Sequence, residues 1–254
     1  MLLIGWRLYP TMWAEWCVCM YPIEENGKLG VATQVITLEG KGVTPRQEGS
    51  HPHSVNISPD NKFLLVADLG TDKIMMYQID FENAQLLPNQ PAFVQVQAGA
   101  GPRHLTFHPN DKYAYVVNEL DATVNVFDYA DGQLTEKQSL STLPPDFTGE
   151  NWCADIHVHP SGKFLYASNR GHDSIVIFEI DETNGTLTRL GHEPTLGQHP
   201  RNFMIEPSGK HLWVANQNSD NVVKFAIDPK TGLLTKVDQM EVMTPVCLQF
   251  FKGV

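Results

Sequence analysis

Residues 101–129, GPRHLTFHPNDKYAYVVNELDATVNVFDY, contain one complete copy of a pattern that this chain states four times. The pattern turns on a proline. It is Pro109 here, and Pro59, Pro160 and Pro207 in NISPDNKFLLVAD (56–68), HVHPSGKFLYASN (157–169) and MIEPSGKHLWVAN (204–216). Successive prolines are 50, 51 and 47 residues apart. Two residues before each stand Ile57, Phe107, Val158 and Ile205, and four before stand Val55, Leu105, Ile156 and Phe203. The positions between are mostly polar, and this period of two is a strand with two unlike faces. PDNK, PNDK, PSGK and PSGK follow, rich in residues that favour tight reversals. A second strand returns from each turn.

A third strand places Tyr77, Phe127, Phe178 and Phe225 at a constant 18 residues after the proline. Aromatics held in phase by a repeat belong to core packing. Outer turns follow as NAQL (83–86), DGQL (131–134), NGTL (184–187) and TGLL (231–234), each leading into a fourth strand. Four strands at a period near 50 describe a propeller blade. ENGKL at 25–29, with Tyr21 in phase, reads as the end of an earlier blade, and TPVCLQFF at 244–251 as the first strand of a later one. The expected fold is all-β, with about five blades: four full repeats and a partial one at each end. Residues 1–17 carry no repeat and are left unassigned, so the expected domain is 18–254.

The 254 residues carry a formal charge of -11, which disfavours nucleic acid and anionic membranes as partners. No apolar run approaches the ~18 residues of a spanning helix. The start, rich in Trp, lacks the small-residue cleavage site of a secretory signal. Cys17, Cys19, Cys153 and Cys247 show no framework spacing and read as reduced thiols of a cytoplasmic protein. No metal site is expected, because Asp155 and His157 have no third ligand placed by spacing.

With GPRHLTFHPNDKYAYVVNELDATVNVFDY, SHPHSVNISPDNKFLLVADLG (50–70), SNRGHDSI (168–175) and HPRNFMIEPSGKHLWVAN (199–216), the chain resembles the seven-bladed β-propeller lactonase family. That family includes bacterial 6-phosphogluconolactonase and the fungal carboxymuconate cyclase. The resemblance implies metal-independent and cofactor-free hydrolysis of a phosphorylated sugar lactone in the pentose phosphate pathway, with a small anionic substrate. A lactonising cyclase and a non-catalytic binding module are the alternatives. Measured against seven blades, the repeat counts short by about two. The expectation is therefore an N-terminally truncated propeller, whose open edges invite self-association.

The repeat is also a control for finding a site. The start of each first strand and the end of each second strand meet on one face. One residue before the end, Asp68, Asn118, Asn169 and Asn216 are nearly constant and read as turn-capping groups. The end itself varies as Leu69, Glu119, Arg170 and Gln217. The start varies as His53, Arg103, Ala154 and Arg201, followed by Ser54, His104, Asp155 and Asn202. Of these, His53, Arg103, Glu119 and Arg170 match the residues the family is thought to use. Glu119 or His53 is expected as the base that activates water, with Arg103 and Arg170 on the substrate anion or oxyanion. Arg201, Asp155, His104 and Asn202 are expected to bind substrate. The structural alternatives are a salt bridge between Arg103 and Glu119, a carbonyl partner for His53, and solvated rim positions for Arg170 and Arg201. His108 and His159, before the turn proline, read as ordinary turn residues.

Overall fold

The computed structural model describes residues 6–10 and 16–251. It divides into two compact units, Met1–Leu105 with Tyr129–Leu134, and Thr106–Asp128 with Thr135–Val254. The first unit opens with β1 (Trp6–Pro10), β2 (Cys17–Pro22) and β3 (Gln34–Thr37), a three-stranded sheet in that order. β4 (Pro52–Ile57), β5 (Phe63–Asp68), β6 (Lys73–Asp80) and β7 (Gln85–Gln95) form a four-stranded sheet. The division between the units falls within the next sheet, of β8 (Pro102–Phe107), β9 (Tyr113–Asn118), β10 (Thr123–Ala130) and β11 (Gln133–Ser141).

The second unit continues with β12 (Trp152–Val158), β13 (Phe164–Arg170), β14 (Ser174–Ile180) and β15 (Leu187–Pro194). It closes with β16 (Pro200–Ile205), β17 (His211–Asn216), β18 (Asn221–Ile227) and β19 (Leu234–Glu241). The described residues thus form four four-stranded sheets and one three-stranded sheet, an all-β, propeller-like arrangement with only two short 3-10 turns. No helix among them is long and apolar enough to cross a membrane.

The sequence pattern explains the sheets. The third residue of each proline turn, Asn61, Asp111, Gly162 and Gly209, has φ between 60° and 77°. Asn, Asp and Gly are the residue types that tolerate this region best. The phased aromatics Tyr77, Phe127, Phe178 and Phe225 are all buried, as core packing requires. In the first unit Val18, Met20, Leu64, Val66, Tyr77 and Leu86 share one apolar cluster. In the second, Phe164, Tyr166, Phe203, Leu212, Val214 and Phe225 share another.

Successive sheets are fastened by repeated polar contacts. The Tyr115 hydroxyl donates to the Gly185 carbonyl at 3.0 Å, and Tyr166 donates to Gly232 at 2.8 Å. His108 and His159 do more than shape their own turns. Each Nδ1 accepts a local backbone N–H, and each Nε2 then donates across to the next sheet, to Gly162 O and Gly209 O at 2.8 Å.

The nearly constant Asp/Asn set is buried, and Asp68 caps its turn as expected, but Asn169 and Asn216 instead hold the segment that leads out of the preceding sheet, and the amide oxygens of Asn118 and Asn216 find no partner among the described residues. Asp68 accepts the His51 and Gly70 amides and the Ser50 and Thr71 hydroxyls. Asn169 holds the Thr142 carbonyl and hydroxyl, and Asn216 holds the Thr195 carbonyl. A second series was not anticipated. Asp72, Asp173 and Asp220 accept amides of the segment that leads out of their own sheet, from Gly99 and Gly101, His199 and Thr244.

Two boundaries differ from expectation. β1 lies inside the segment to which the repeat assigns nothing, and it pairs antiparallel with β2 from Trp6↔Pro22 to Pro10↔Val18. TPVCLQFF forms no strand. Pro245 lacks an N–H for a ladder, and Leu248 N donates instead to the Asn202 side chain at 2.6 Å.

Removing one of these fasteners tests their weight. Tyr166→Phe strips the Gly232 carbonyl of its buried donor, which should cost about 1 kcal/mol. For a domain of this size that is a Tm fall of roughly 2–4 °C, read by thermal melting.

Candidate functional site

The residues that vary between repeats sit where the inner strands break register. β4 slips between Pro52 and Ser54, β12 between Cys153 and Ile156, and β16 between Pro200 and Asn202. The residues inside those slips are His53, Ala154 with Asp155, and Arg201. An extra residue in one strand re-aims its side chains out of strict alternation. The opposite ends of the hairpins meet there as expected, with Pro52↔Asp68, Trp152↔Arg170 and Pro200↔Asn216 in register.

In the second unit the structure brings Glu119 and Arg170 together. Arg170 Nη2 lies 2.8 Å from Glu119 Oε2, and both side chains are more than nine-tenths buried. Arg170 is therefore no solvated rim residue. Its Nε donates to the Trp152 carbonyl at 3.2 Å and its Nη2 to the Cys153 carbonyl at 2.9 Å. The Cys153 amide in turn donates to the Glu119 carbonyl at 3.2 Å. Burial lowers the Arg170 pKa and the Arg201 charge lowers it further, while Glu119 opposes both. Arg170 stays cationic at any physiological pH. With Nε and Nη2 committed to protein, Nη1 is the edge it can offer a ligand.

Asp155 and Asn202 also meet in this unit, Asn202 Nδ2 donating to Asp155 Oδ2 at 2.5 Å. Asp155 further accepts the amides of Ile156 and Phe203 and lies 3.2 Å from His157 Nε2. Asn202 Oδ1 accepts Leu248 N. Their polar atoms thus tie β12, β16 and the C-terminal segment together. Burial alone would lower the His157 pKa, but the charge of Asp155 and their hydrogen bond outweigh it, and the pKa is raised above 6.5.

In the first unit, Arg103 is buried and its Nη1 donates to His104 Nε2 at 3.1 Å. Guanidinium only donates, so His104 Nε2 is the acceptor in this contact. The His53 and His104 rings lie 5.2 Å apart.

Sequence reasoning missed Trp152 and Cys153, because they act through backbone carbonyls that carry no residue signature. It also gave Gln217 no role. Its Oε1 is buried and finds no hydrogen-bond partner among the described residues. A cavity of about 350 Å³ is lined by Leu120, Asp121, Glu150, Asn151 and Trp152 among others, and neither Glu119 nor Arg170 is in its lining. No group of three or more metal-ligating side chains occurs among the described residues.

Residues 8–250 match the family model described as "Lactonase, 7-bladed beta-propeller", and the chain belongs to that family. It is 41% identical over 204 residues to the 6-phosphogluconolactonase of Serratia proteamaculans, covering 80% of this chain and 58% of that protein. It is 42% identical over 193 residues to the 6-phosphogluconolactonase of Formosa agariphila, covering 73% and 54%. The chain thus spans less than three-fifths of the length of these curated relatives. Among solved structures, the periplasmic gluconolactonase of Pseudomonas aeruginosa superposes with a TM-score of 0.91 at 35% identity, covering 97% of this chain and 69% of that one.

Two stability measurements test the site's construction. Arg170→Ala removes the guanidinium 2.8 Å from the buried Glu119 carboxylate, and should cost about 3–5 kcal/mol. Glu119→Gln leaves Arg170 held by two carbonyls and should cost less than half as much. Equal losses in denaturant melts would contradict the arrangement. His157, with its folded pKa raised, contributes stability that is full below pH 6.5 and lost as pH rises through the folded value. The stability deficit of His157→Gln should therefore shrink as pH rises from 6 towards 8.

Proposed function

We propose that this chain hydrolyses a sugar lactone, with the phosphorylated lactone preferred. The observation that carries the reading is the buried Glu119–Arg170 pair at 2.8 Å, at the ends of neighbouring β9 and β13, in a chain of the lactonase family. Glu119 takes a proton from water, and the water oxygen bonds to the ring carbonyl carbon. The oxyanion that forms is stabilised by Arg170 Nη1. The ring C–O bond then breaks, the leaving oxygen takes back the proton, and the open-chain hydroxy acid departs.

Arg201, whose charge reaches Arg170, suits a substrate phosphate. Asp155 and Asn202 act as positioning residues through the hydrogen bonds they make to each other. In the first unit, Arg103, His104 and His53 are by themselves of the residue types that suit an anionic substrate and a water. The chemistry asks only for a base and fixed cations, so activity should survive chelation. A cytoplasmic setting, a seven-bladed parentage of the sheets and a small anionic sugar lactone as partner belong to the same reading.

The name of the Pseudomonas aeruginosa neighbour favours a second substrate, the lactone without phosphate. Both are tested together by following hydrolysis of 6-phosphogluconolactone and gluconolactone above their spontaneous rates. The expected result is turnover of both with a higher kcat/KM for the phosphorylated lactone. Arg201→Ala should lower that preference by about tenfold, the size of a lost charge-assisted contact. Spontaneous rates for both lactones would overturn the reading.

A further inference from the structure

At their outer turns the sheets of the second unit approach closely. The Tyr113 ring covers Gly185 and the Phe164 ring covers Gly232, and a Cβ on either glycine would lie 2.5 Å from a ring carbon. At the opposite ends of the strands a cavity of about 350 Å³ stays open. Leu120 and Asp121, on one wall, lie in the turn between β9 and β10. Glu150 and Asn151, on the other, lead into β12, whose first residue is Trp152. Neither wall belongs to the first or the last sheet.

The second wall is held in place. Asn151 Nδ2 donates to Asn169 Oδ1 at 3.1 Å, and Asn151 Oδ1 accepts the His172 amide at 3.2 Å. A Cβ on Gly171 would overlap the Glu150 carbonyl, so this segment lies directly on the turn that follows Arg170. The Trp152 carbonyl accepts Arg170 Nε. A ligand seated on these residues therefore touches the backbone that holds Arg170.

The lining selects a class of ligand. Its volume falls within the roughly 300–1,000 Å³ of small-ligand sites. Trp152 is 42% exposed, Asp121 and Glu150 add two carboxylates, and no Lys, Arg or His is among the residues that line it. An anion, the phosphorylated lactone included, meets two like charges there. A wholly apolar ligand strips water from the carboxylates and returns no hydrogen bond. A pyranose suits both parts of the lining. The C–H groups of its ring sit on the electron-rich face of an indole, and its hydroxyls donate to carboxylates, which only accept.

We infer that this cavity binds a neutral pyranose unit, stacked on Trp152 with its hydroxyls on Asp121 and Glu150. The unit is a free sugar or the glycosyl part of a larger sugar lactone, and the second source rests on the lactonase reading above.

The test titrates the whole chain with cellobiose, followed by calorimetry and tryptophan fluorescence. Saturable binding is expected, with a Kd on the order of 1 mM. Glu150→Gln should weaken it about tenfold, through loss of a charged acceptor. Trp152→Ala should remove it, and Trp152→Phe, which keeps a ring, should retain part of it. Glucuronate should not compete with cellobiose. Turnover separates the two sources. A glycosyl unit of the substrate gives cellobionolactone a kcat/KM about tenfold above that of gluconolactone, an advantage that Glu150→Gln narrows. A free sugar instead shifts the KM or kcat for gluconolactone, and cellobionolactone gains no advantage. A chain that binds cellobiose through Trp152 and turns over no lactone defeats the lactonase reading and leaves this inference standing. Absence of cellobiose binding, equal binding of glucuronate, or binding that both Glu150→Gln and Trp152→Ala leave intact overturns the inference.

Discussion

Everything else in this structure depends on glycine turns held under aromatic rings. A four-stranded sheet that twists has two faces to cover, and neighbouring sheets must interdigitate closely to exclude water. The ring of one repeat lies where a Cβ of the next would be, so glycine sets the distance of approach. The hydroxyls of Tyr115 and Tyr166 and the imidazoles of His108 and His159 then satisfy backbone carbonyls that this approach buries. An unpaired buried carbonyl would cost more than the bond itself returns, which is why these donors recur at fixed positions.

The same frame holds the proposed site. Arg170 is held by two backbone carbonyls and one carboxylate, and those carbonyls belong to the strand directly paired with its own. A long, flexible side chain is thereby fixed with one edge left for a ligand, so little ordering remains to oppose binding. The inner-strand bulges serve the same end. They turn His53, Asp155 and Arg201 out of the alternation that would otherwise send them to one or the other face of a sheet.

Much of this was legible in the chain. The proline period, the turn residues and the aromatics 18 residues on follow from local chemistry, and that chemistry repeats. The pairing of strand starts with strand ends follows from antiparallel hairpins. Glu119 and Arg170 stood out because their repeat equivalents, Leu69 and Gln217, are of other types. The bulges were not legible, because a one-residue slip leaves no compositional trace. The acceptors of His108 and His159 lie about 50 residues away, and no local pattern announces them. TPVCLQFF has the composition of a strand but pairs with none among the described residues, and pairing, not propensity, decides whether a strand forms.

The constant positions of the repeat hold the fold, and the irregular ones are the proposed seat of the chemistry. Asn118 and Glu119 are adjacent and fall on opposite sides of that line. The most direct measurement is Tm together with lactone turnover per folded molecule for Asn118→Ala and Glu119→Gln. Asn118→Ala should lower Tm by several degrees and leave turnover within about threefold, whereas Glu119→Gln should change Tm far less than Arg170→Ala does and lower turnover by about a hundredfold or more. Full turnover in Glu119→Gln, or the loss of turnover in Asn118→Ala alone, would contradict it.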